Sequence, residues 1–249
     1  MAAHSHFGRS FQVFVCAGHE EMSHRAARGI MHRVMHEPDL VLCTATGSSP
    51  TRAYEMVADA WRNRADLTGR MRVIKLDEWG GLRPDDPATC ETYLRRHLLG
   101  PLNIPEDRYL GFRGDAPDPE AECRHIADRL GTIGPIAMCV LGLGSNGHLG
   151  FNEPADALHP HAHVAQLSPE SLAHPMVRGT STPLTYGLTL GMADILHSKQ
   201  VLLLVSGRHK RDVLRRLLDD RTVSTRFPAS FLWLHQDVTC FCDADAAGE

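Results

Sequence analysis

A histidine and a carboxylate stand five residues apart in the stretch Gly142-Leu-Gly-Ser-Asn-Gly-His-Leu-Gly-Phe-Asn-Glu-Pro154. His148 and Glu153 are the two groups that proton transfer needs: an imidazole that changes charge near neutrality and a carboxylate beside it. An apolar run, 136–141, leads straight into this stretch, and its glycines free the backbone for a tight turn. A buried strand that empties into such a turn builds a site at the carboxyl end of an α/β sheet. The alternative is a tight turn whose polar residues are incidental.

Three further apolar runs end in loops of pointed chemistry. The run 40–43 ends in Thr44-Ala-Thr-Gly-Ser-Ser-Pro50. There Ser49 suits an N-cap and Pro50 a first helical position. Thr46, Gly47 and Ser48 add hydroxyls and backbone N–H groups at a positive helix end, which suits phosphate; plain helix capping is the other reading. The Gly-Lys-Ser/Thr of a P-loop is missing. The run 201–205 ends in Ser206-Gly-Arg-His-Lys-Arg211. Arg208, Lys210 and Arg211 crowd a helix start, where each cation opposes the dipole by roughly 0.3–1 kcal/mol. A bound anion removes that conflict. The run 71–76 ends in Asp77 and Glu78, adjacent carboxylates of the kind that serve as a general base or as caps. Lys75 inside this run, if buried, requires a partner carboxylate.

The elements that must hold these loops alternate along the chain. Strands are expected at 11–16, 40–43, 71–76, 109–112, 136–141, 201–205 and 238–242. Helices are expected at 19–35, 50–63, 89–99, 117–130 and 207–218. This order predicts an α/β fold: one doubly wound, mostly parallel sheet flanked by helices, in a single domain over 11–249. Residues 1–10 lack the apolar centre of a signal peptide and read as a disordered lead-in. The stretch 155–185, rich in Pro and His, reads as a lid.

With 249 residues, 43% of them hydrophobic, the chain can bury a sizeable core. Its net charge of −4 and lack of a basic face argue against nucleic acid. No apolar run reaches membrane-spanning length. Seven scattered cysteines, several of them in strand-like runs, read as small core residues of a reducing cytoplasm. No metal cluster and no nicotinamide or flavin fingerprint is seen, so no metal or cofactor is expected.

Four segments carry a family resemblance: Thr46-Gly-Ser-Ser-Pro50, Leu76-Asp-Glu-Trp79, Gly144-Ser-Asn-Gly-His-Leu-Gly-Phe-Asn-Glu-Pro154 and Leu188-Thr-Leu-Gly191. From about Val13 to Cys242 the chain resembles the glucosamine-6-phosphate deaminase family. Lys75-Leu-Asp-Glu-Trp79, Asp86-Pro-Ala-Thr-Cys-Glu91 and the segment Val223-Ser-Thr-Arg-Phe-Pro-Ala-Ser-Phe-Leu-Trp-Leu-His235 look like its galactosamine-6-phosphate deaminase/isomerase branch. The resemblance implies a cofactor-free aldose–ketose isomerisation with loss of ammonia, converting galactosamine 6-phosphate and water to tagatose 6-phosphate. It implies Asp77 as the base that moves a proton from C2 to C1, His148 as the aid to ring opening, and Glu153 as the group that tunes His148. It places Thr46, Gly47, Ser48, Ser49 and Lys210 on the phosphate, with Glu78 and Gly144 in the substrate-binding set. The partner is then a small amino-sugar phosphate, and a homo-oligomer stays open.

Three departures stand out. Some members of the family carry Asp where Asn146 stands, so Asn146 is expected to alter the tuning of His148 and not to abolish activity. The stretch 167–176, basic in glucosamine-type members, has no Arg, so that Arg178 or His174 substitutes or the phosphate clamp is weaker. The stretch 155–166 has no Lys or Arg, so the allosteric activation of some members is not expected. Rival readings are glucosamine 6-phosphate as substrate, a 6-phosphogluconolactonase, and a sugar-phosphate sensor without catalysis. The lactonase is not expected to show Phe151-Asn-Glu-Pro154. The sensor needs a DNA-binding helix pair for which the residues before Phe11 are too few.

Overall fold

Successive side chains of a strand point to opposite faces of its sheet, and here both faces are covered. Val41 and Cys43, Cys139 and Leu141, and Leu203 and Val205 enter one core, while Leu42, Met138, Val140, Leu202 and Leu204 enter the other. Strands buried on both sides read as continuous apolar runs, which is why they were visible in the sequence.

The computed structural model describes residues 2–6, 9–62, 64–180 and 182–249. The strands are β1 Ala2–His6, β2 Arg9–Cys16, β3 Val41–Thr44, β4 Arg72–Lys75, β5 Asp77–Trp79, β6 Tyr109–Leu110, β7 Met138–Gly142, β8 His163–Gln166, β9 Tyr186–Thr189, β10 Val201–Val205 and β11 Asp237–Asp243. The helices are α1 His19–His36, α2 Ser48–Trp61, α3 Ala65–Thr68, α4 Cys90–Leu94, α5 Pro119–Ile133, α6 Pro169–Leu172, α7 Met192–Leu196, α8 Arg211–Asp219 and α9 Ala244–Ala247. The main sheet runs β1-β2-β11-β10-β7-β3-β4-β6, parallel throughout except for β1. From β3 the chain winds outward through β4 to β6, and from β7 it winds the other way through β10 to β11. The direction therefore reverses between the neighbours β3 and β7, and ligands of open α/β sheets bind in the crevice at such a switch point. The strands β10, β7, β3 and β4, whose loops drew attention in the sequence, are adjacent.

The structure corrects several expectations. Within the expected disordered lead-in, Ala2–His6 pairs antiparallel with β2, using backbone groups that the edge of the sheet would otherwise leave open; residues 1, 7 and 8 of that stretch lie outside the described residues. The helix expected from Pro50 starts earlier. Its N-cap is Gly47, without a side-chain cap bond, and Ser49 is inside the helix. The helix expected over 89–99 is α4 followed by a π-helical turn, Arg95–Leu99. The stretch 155–185 is more regular than its Pro and His content indicated: it holds β8, α6 and a 3-10 turn, Pro175–Val177.

An antiparallel sheet, β5-β9-β8, was not anticipated. Ala165, Leu167 and Val177 pack with Trp79 and Phe151 beneath it. All seven cysteines are free and buried. Among the described residues no helix is long and apolar enough to cross a membrane.

Candidate active site

The loop after β3 places the start of α2 at the switch point. Gly47 adopts φ +109, a backbone region that L side chains rarely enter. Its carbonyl accepts the Thr51 hydroxyl at 2.7 Å and the Tyr93 hydroxyl at 3.0 Å, which pins the turn. With no side-chain cap, the first N–H groups of α2 stay available, and the positive end of this 14-residue helix opens to an anion. Thr46, Gly47 and Ser49 are half-buried and Ser48 is exposed.

Beside this loop the chain passes from β4 through Leu76 into β5 and buries Asp77. Burial, reinforced by the neighbouring Glu78 charge, raises the Asp77 pKa to about 7, against the opposing pull of Lys75 and a bond from Cys90. A carboxyl group so poised near neutrality suits a general base. The Cys90 thiol lies 3.9 Å from Asp77 Oδ1 and 3.3 Å from Thr46 Oγ1, and so links Asp77 to the loop before α2. Burial keeps this thiol protonated, so it can donate.

Glu78 is turned the other way. Its carboxylate accepts Lys75 Nζ at 2.7 Å and the backbone N–H groups of Trp79, Cys90 and Glu91 at 2.8–2.9 Å. Glu91, 2.8 Å from Lys75, completes a buried ion triad. Burial opposes the Lys75 charge, but Glu78 and Glu91 outweigh it and raise the Lys75 pKa. Lys75 thus has the partner carboxylates its burial demanded. Glu78, expected against the substrate, instead fastens α4 to β5 with its acceptors fully engaged. A separate cavity of about 670 Å³ opens behind this network, and neither Asp77 nor His148 lines it.

The loop after β7 carries the His–Glu pair. Gly144 lets the backbone pass directly behind the imidazole: a Cβ there would sit 2.4 Å from His148 Cδ2. His148 Nδ1 lies 3.3 Å from Glu153 Oε2. The alignment is not that of a hydrogen bond, and Nδ1 is buried without a hydrogen-bond partner among the described residues. Asn146 braces the pair without touching the ring. Its Nδ2 donates to Glu153 Oε2 at 2.9 Å, and its Oδ1 accepts the His148 backbone N–H at 3.1 Å. Ser168 donates to Glu153 Oε1 at 3.0 Å, and Ser171 donates to the same oxygen. Burial alone would raise the Glu153 pKa, but His148, Ser171 and Asn146 outweigh it and hold it at about 2. Glu153 is therefore a fixed anion beside the imidazole.

Asp77 and the His–Glu loop meet through the small sheet. Asp77 is opposite Thr189 in the β5–β9 register, and Thr189 Oγ1 accepts the Phe151 N–H at 3.2 Å. Asn152 donates to the carbonyls of Leu149 and Leu190 at 2.8 and 2.9 Å, and the Trp79 and Phe151 rings stand 4.6 Å apart.

From the loop after β10, Lys210 Nζ donates to Ser145 Oγ at 3.3 Å, next to the His148 loop. Burial lowers its pKa, and among the described residues no carboxylate lies within ion-pair distance of it. Arg208 and Arg211 turn instead toward Asp245 and Gly248 near α9. Of the three cations read from the sequence, Lys210 is the one drawn to the switch point.

Cys90, Ser168, Ser171 and Asn152 join this geometry without having been expected in it. The Ser168-Pro-Glu start of α6, a regular N-cap pattern, was the available signal for Ser168. Cys90 offered none, because only the tertiary fold brings it to Asp77.

Comparison with known proteins places the chain among its relatives. The family described as glucosamine-6-phosphate isomerases/6-phosphogluconolactonase matches residues 18–241. AgaI of Escherichia coli (strain K12), a deaminase by name, is 39% identical over 219 residues, 88% of this chain and 86% of its own. The glucosamine-6-phosphate deaminase of Bacillus pumilus (strain SAFR-032) is 36% identical over 231 residues, 91% of this chain and 95% of its own. The solved structure of a monomeric glucosamine-6-phosphate deaminase superposes with a TM-score of 0.88 at 34% identity, covering 96% of this chain and 99% of that one. The chain belongs to the glucosamine-6-phosphate isomerase/6-phosphogluconolactonase family.

Proposed function

We propose that this enzyme, an amino-sugar-phosphate deaminase, acts on galactosamine 6-phosphate, giving tagatose 6-phosphate and ammonia. The observation that carries the deaminase reading is the convergence at one switch point of a buried carboxyl group with pKa about 7, a His–Glu pair, and an uncapped helix start beside a half-buried lysine. The galacto assignment rests on the branch-like segments 75–79, 86–91 and 223–235. Glucosamine 6-phosphate is the second reading, favoured by the names of the Bacillus relative and of the superposed structure.

In the proposed reaction, the α2 start and Lys210 hold the phosphate, fixing the sugar in register far from its reacting carbons. His148 assists opening of the ring, and the Glu153 anion steadies any positive charge the imidazole gains. Asp77 takes the proton from C2 and returns it to C1. The enol-amine left at C2 becomes an iminium, water adds, and ammonia leaves, so the atoms balance as amino-sugar phosphate plus water giving ketose phosphate plus ammonia. The stretch 155–185, which carries Ser168 and Ser171 to Glu153, is proposed to act as the lid.

Ammonia release from galactosamine 6-phosphate and glucosamine 6-phosphate, measured side by side on the purified protein, tests this. Release from the galacto sugar alone supports the assignment. Release from the gluco sugar alone keeps the deaminase and overturns the galacto reading. Release from neither, with hydrolysis of a sugar-phosphate lactone, overturns both.

A further inference from the structure

In the stretch 167–176 the chain has neither Lys nor Arg, so this stretch brings no fixed positive charge to the α2 start. It does bring a histidine. His174 stands just before the 3-10 turn Pro175–Val177 and is half-buried. Its Nδ1 accepts the Met176 N–H at 3.3 Å. That bond occupies the Nδ1 lone pair, so in the neutral ring the proton sits on Nε2. Nε2 faces the anion loop: a Cβ built on Gly47 would lie 3.8 Å from it. The ring is steadied by Trp79, whose centroid is 6.0 Å away.

The charged surroundings of His174 are one-sided. Burial lowers its pKa, and the charges of Lys210 and His148 lower it further. Three basic side chains therefore lie near one another, with His174 beside the start of a helix that has no side-chain cap. Glu153, the carboxylate beside His148, is taken up by Asn146, Ser168, Ser171 and His148. Arg178, the other residue available to replace a missing arginine, is exposed.

We propose that His174, through its Nε2–H, is the third ligand of the substrate's phosphate, closing a clamp whose other members are the α2 start and Lys210. The inference rests on the reading of that loop as the phosphate site. It makes the clamp one of two side chains, a lysine and an imidazole, in place of a guanidinium with its paired donors.

A hydrogen bond to a charged group contributes about 1.5–3 kcal/mol, or roughly tenfold or more in affinity. Inorganic phosphate is the probe, measured as a competitive inhibitor and by calorimetry on the intact protein. His174→Ala is expected to weaken phosphate binding and raise KM for the amino-sugar phosphate by about tenfold or more, with kcat falling less than about threefold. His174→Gln, which retains an N–H donor, is expected to recover part of the loss. A structural role alone would lower kcat and thermal stability and leave the inhibition constant in place, and that result overturns the proposal. Lys210→Ala separates the two layers. If it weakens phosphate binding and His174→Ala does not, the clamp inference fails while the phosphate site stands. If neither variant changes phosphate binding, the phosphate site itself is wrong.

Discussion

Asp77, the proposed base, would couple the stability of this protein to its chemistry, and Asp77→Asn separates them. In the fold its pKa is raised from 3.8 to about 7, chiefly by burial. Below both values the carboxyl group is protonated in the folded and unfolded chains, and its titration costs the fold nothing. As pH rises through about 4 the unfolded chain ionises first, so stability falls until the folded group also ionises near pH 7. About three units at 1.36 kcal/mol each give a full cost of about 4 kcal/mol on the alkaline side. Asn has nearly the same shape and does not ionise. Asp77→Asn is therefore expected to be more stable than the native protein by up to about 4 kcal/mol near pH 8 and by only about 1–2 kcal/mol near pH 5, while losing about 10²-fold or more in turnover. Urea unfolding of both proteins at the two pH values, with ammonia release assayed alongside, makes the comparison. A stability difference that does not grow with pH would refute the buried, poised carboxyl group. Native turnover in the variant would refute its role as base.

Three other perturbations follow from the same geometry. Cys90→Ala removes the thiol donor that lowers the Asp77 pKa, so the acid limb of the kcat/KM profile is expected to move to higher pH; an unmoved limb in a stable variant would sever the link. Lys75→Met leaves Glu78 and Glu91 buried without their cation and is expected to cost about 3–5 kcal/mol in denaturant unfolding; a cost under 1 kcal/mol would mean the triad is open to water. Gly144→Ala puts a Cβ 2.4 Å from the His148 ring. It is expected to lower kcat and to cost about 1–3 kcal/mol of stability; native kinetics would show that the ring position does not matter.

What could be read early was what the chain repeats locally. The buried strands β3, β7 and β10 are unbroken apolar runs, and the loops that follow them carry the glycines and polar groups of the site. β5, β8 and β9 were invisible for a matching reason. Asp77-Glu78-Trp79 has neither alternation nor an apolar run. It is a strand because it pairs with β9, which lies far along the chain. The Pro- and His-rich stretch 155–185 looked irregular because its short elements are held by Trp79 and Phe151, not by local propensity. Asp77 and Glu78 show the same limit on a smaller scale: as neighbours of one type they were expected together at the substrate, and the sheet turned one to the switch point and the other to Lys75.

By itself the sequence determined the α/β order, the four loops and the chemical types in them, since periodicity, glycine placement and charge are local properties. The tertiary structure alone decided which of three clustered cations reaches the switch point, that a thiol bridges Asp77 and Thr46, that Asn146 braces Glu153 and not the imidazole, and that His174 faces Gly47. Most of those facts join residues far apart in the chain, and all of them depend on distances and desolvation that exist only once the sheet has closed.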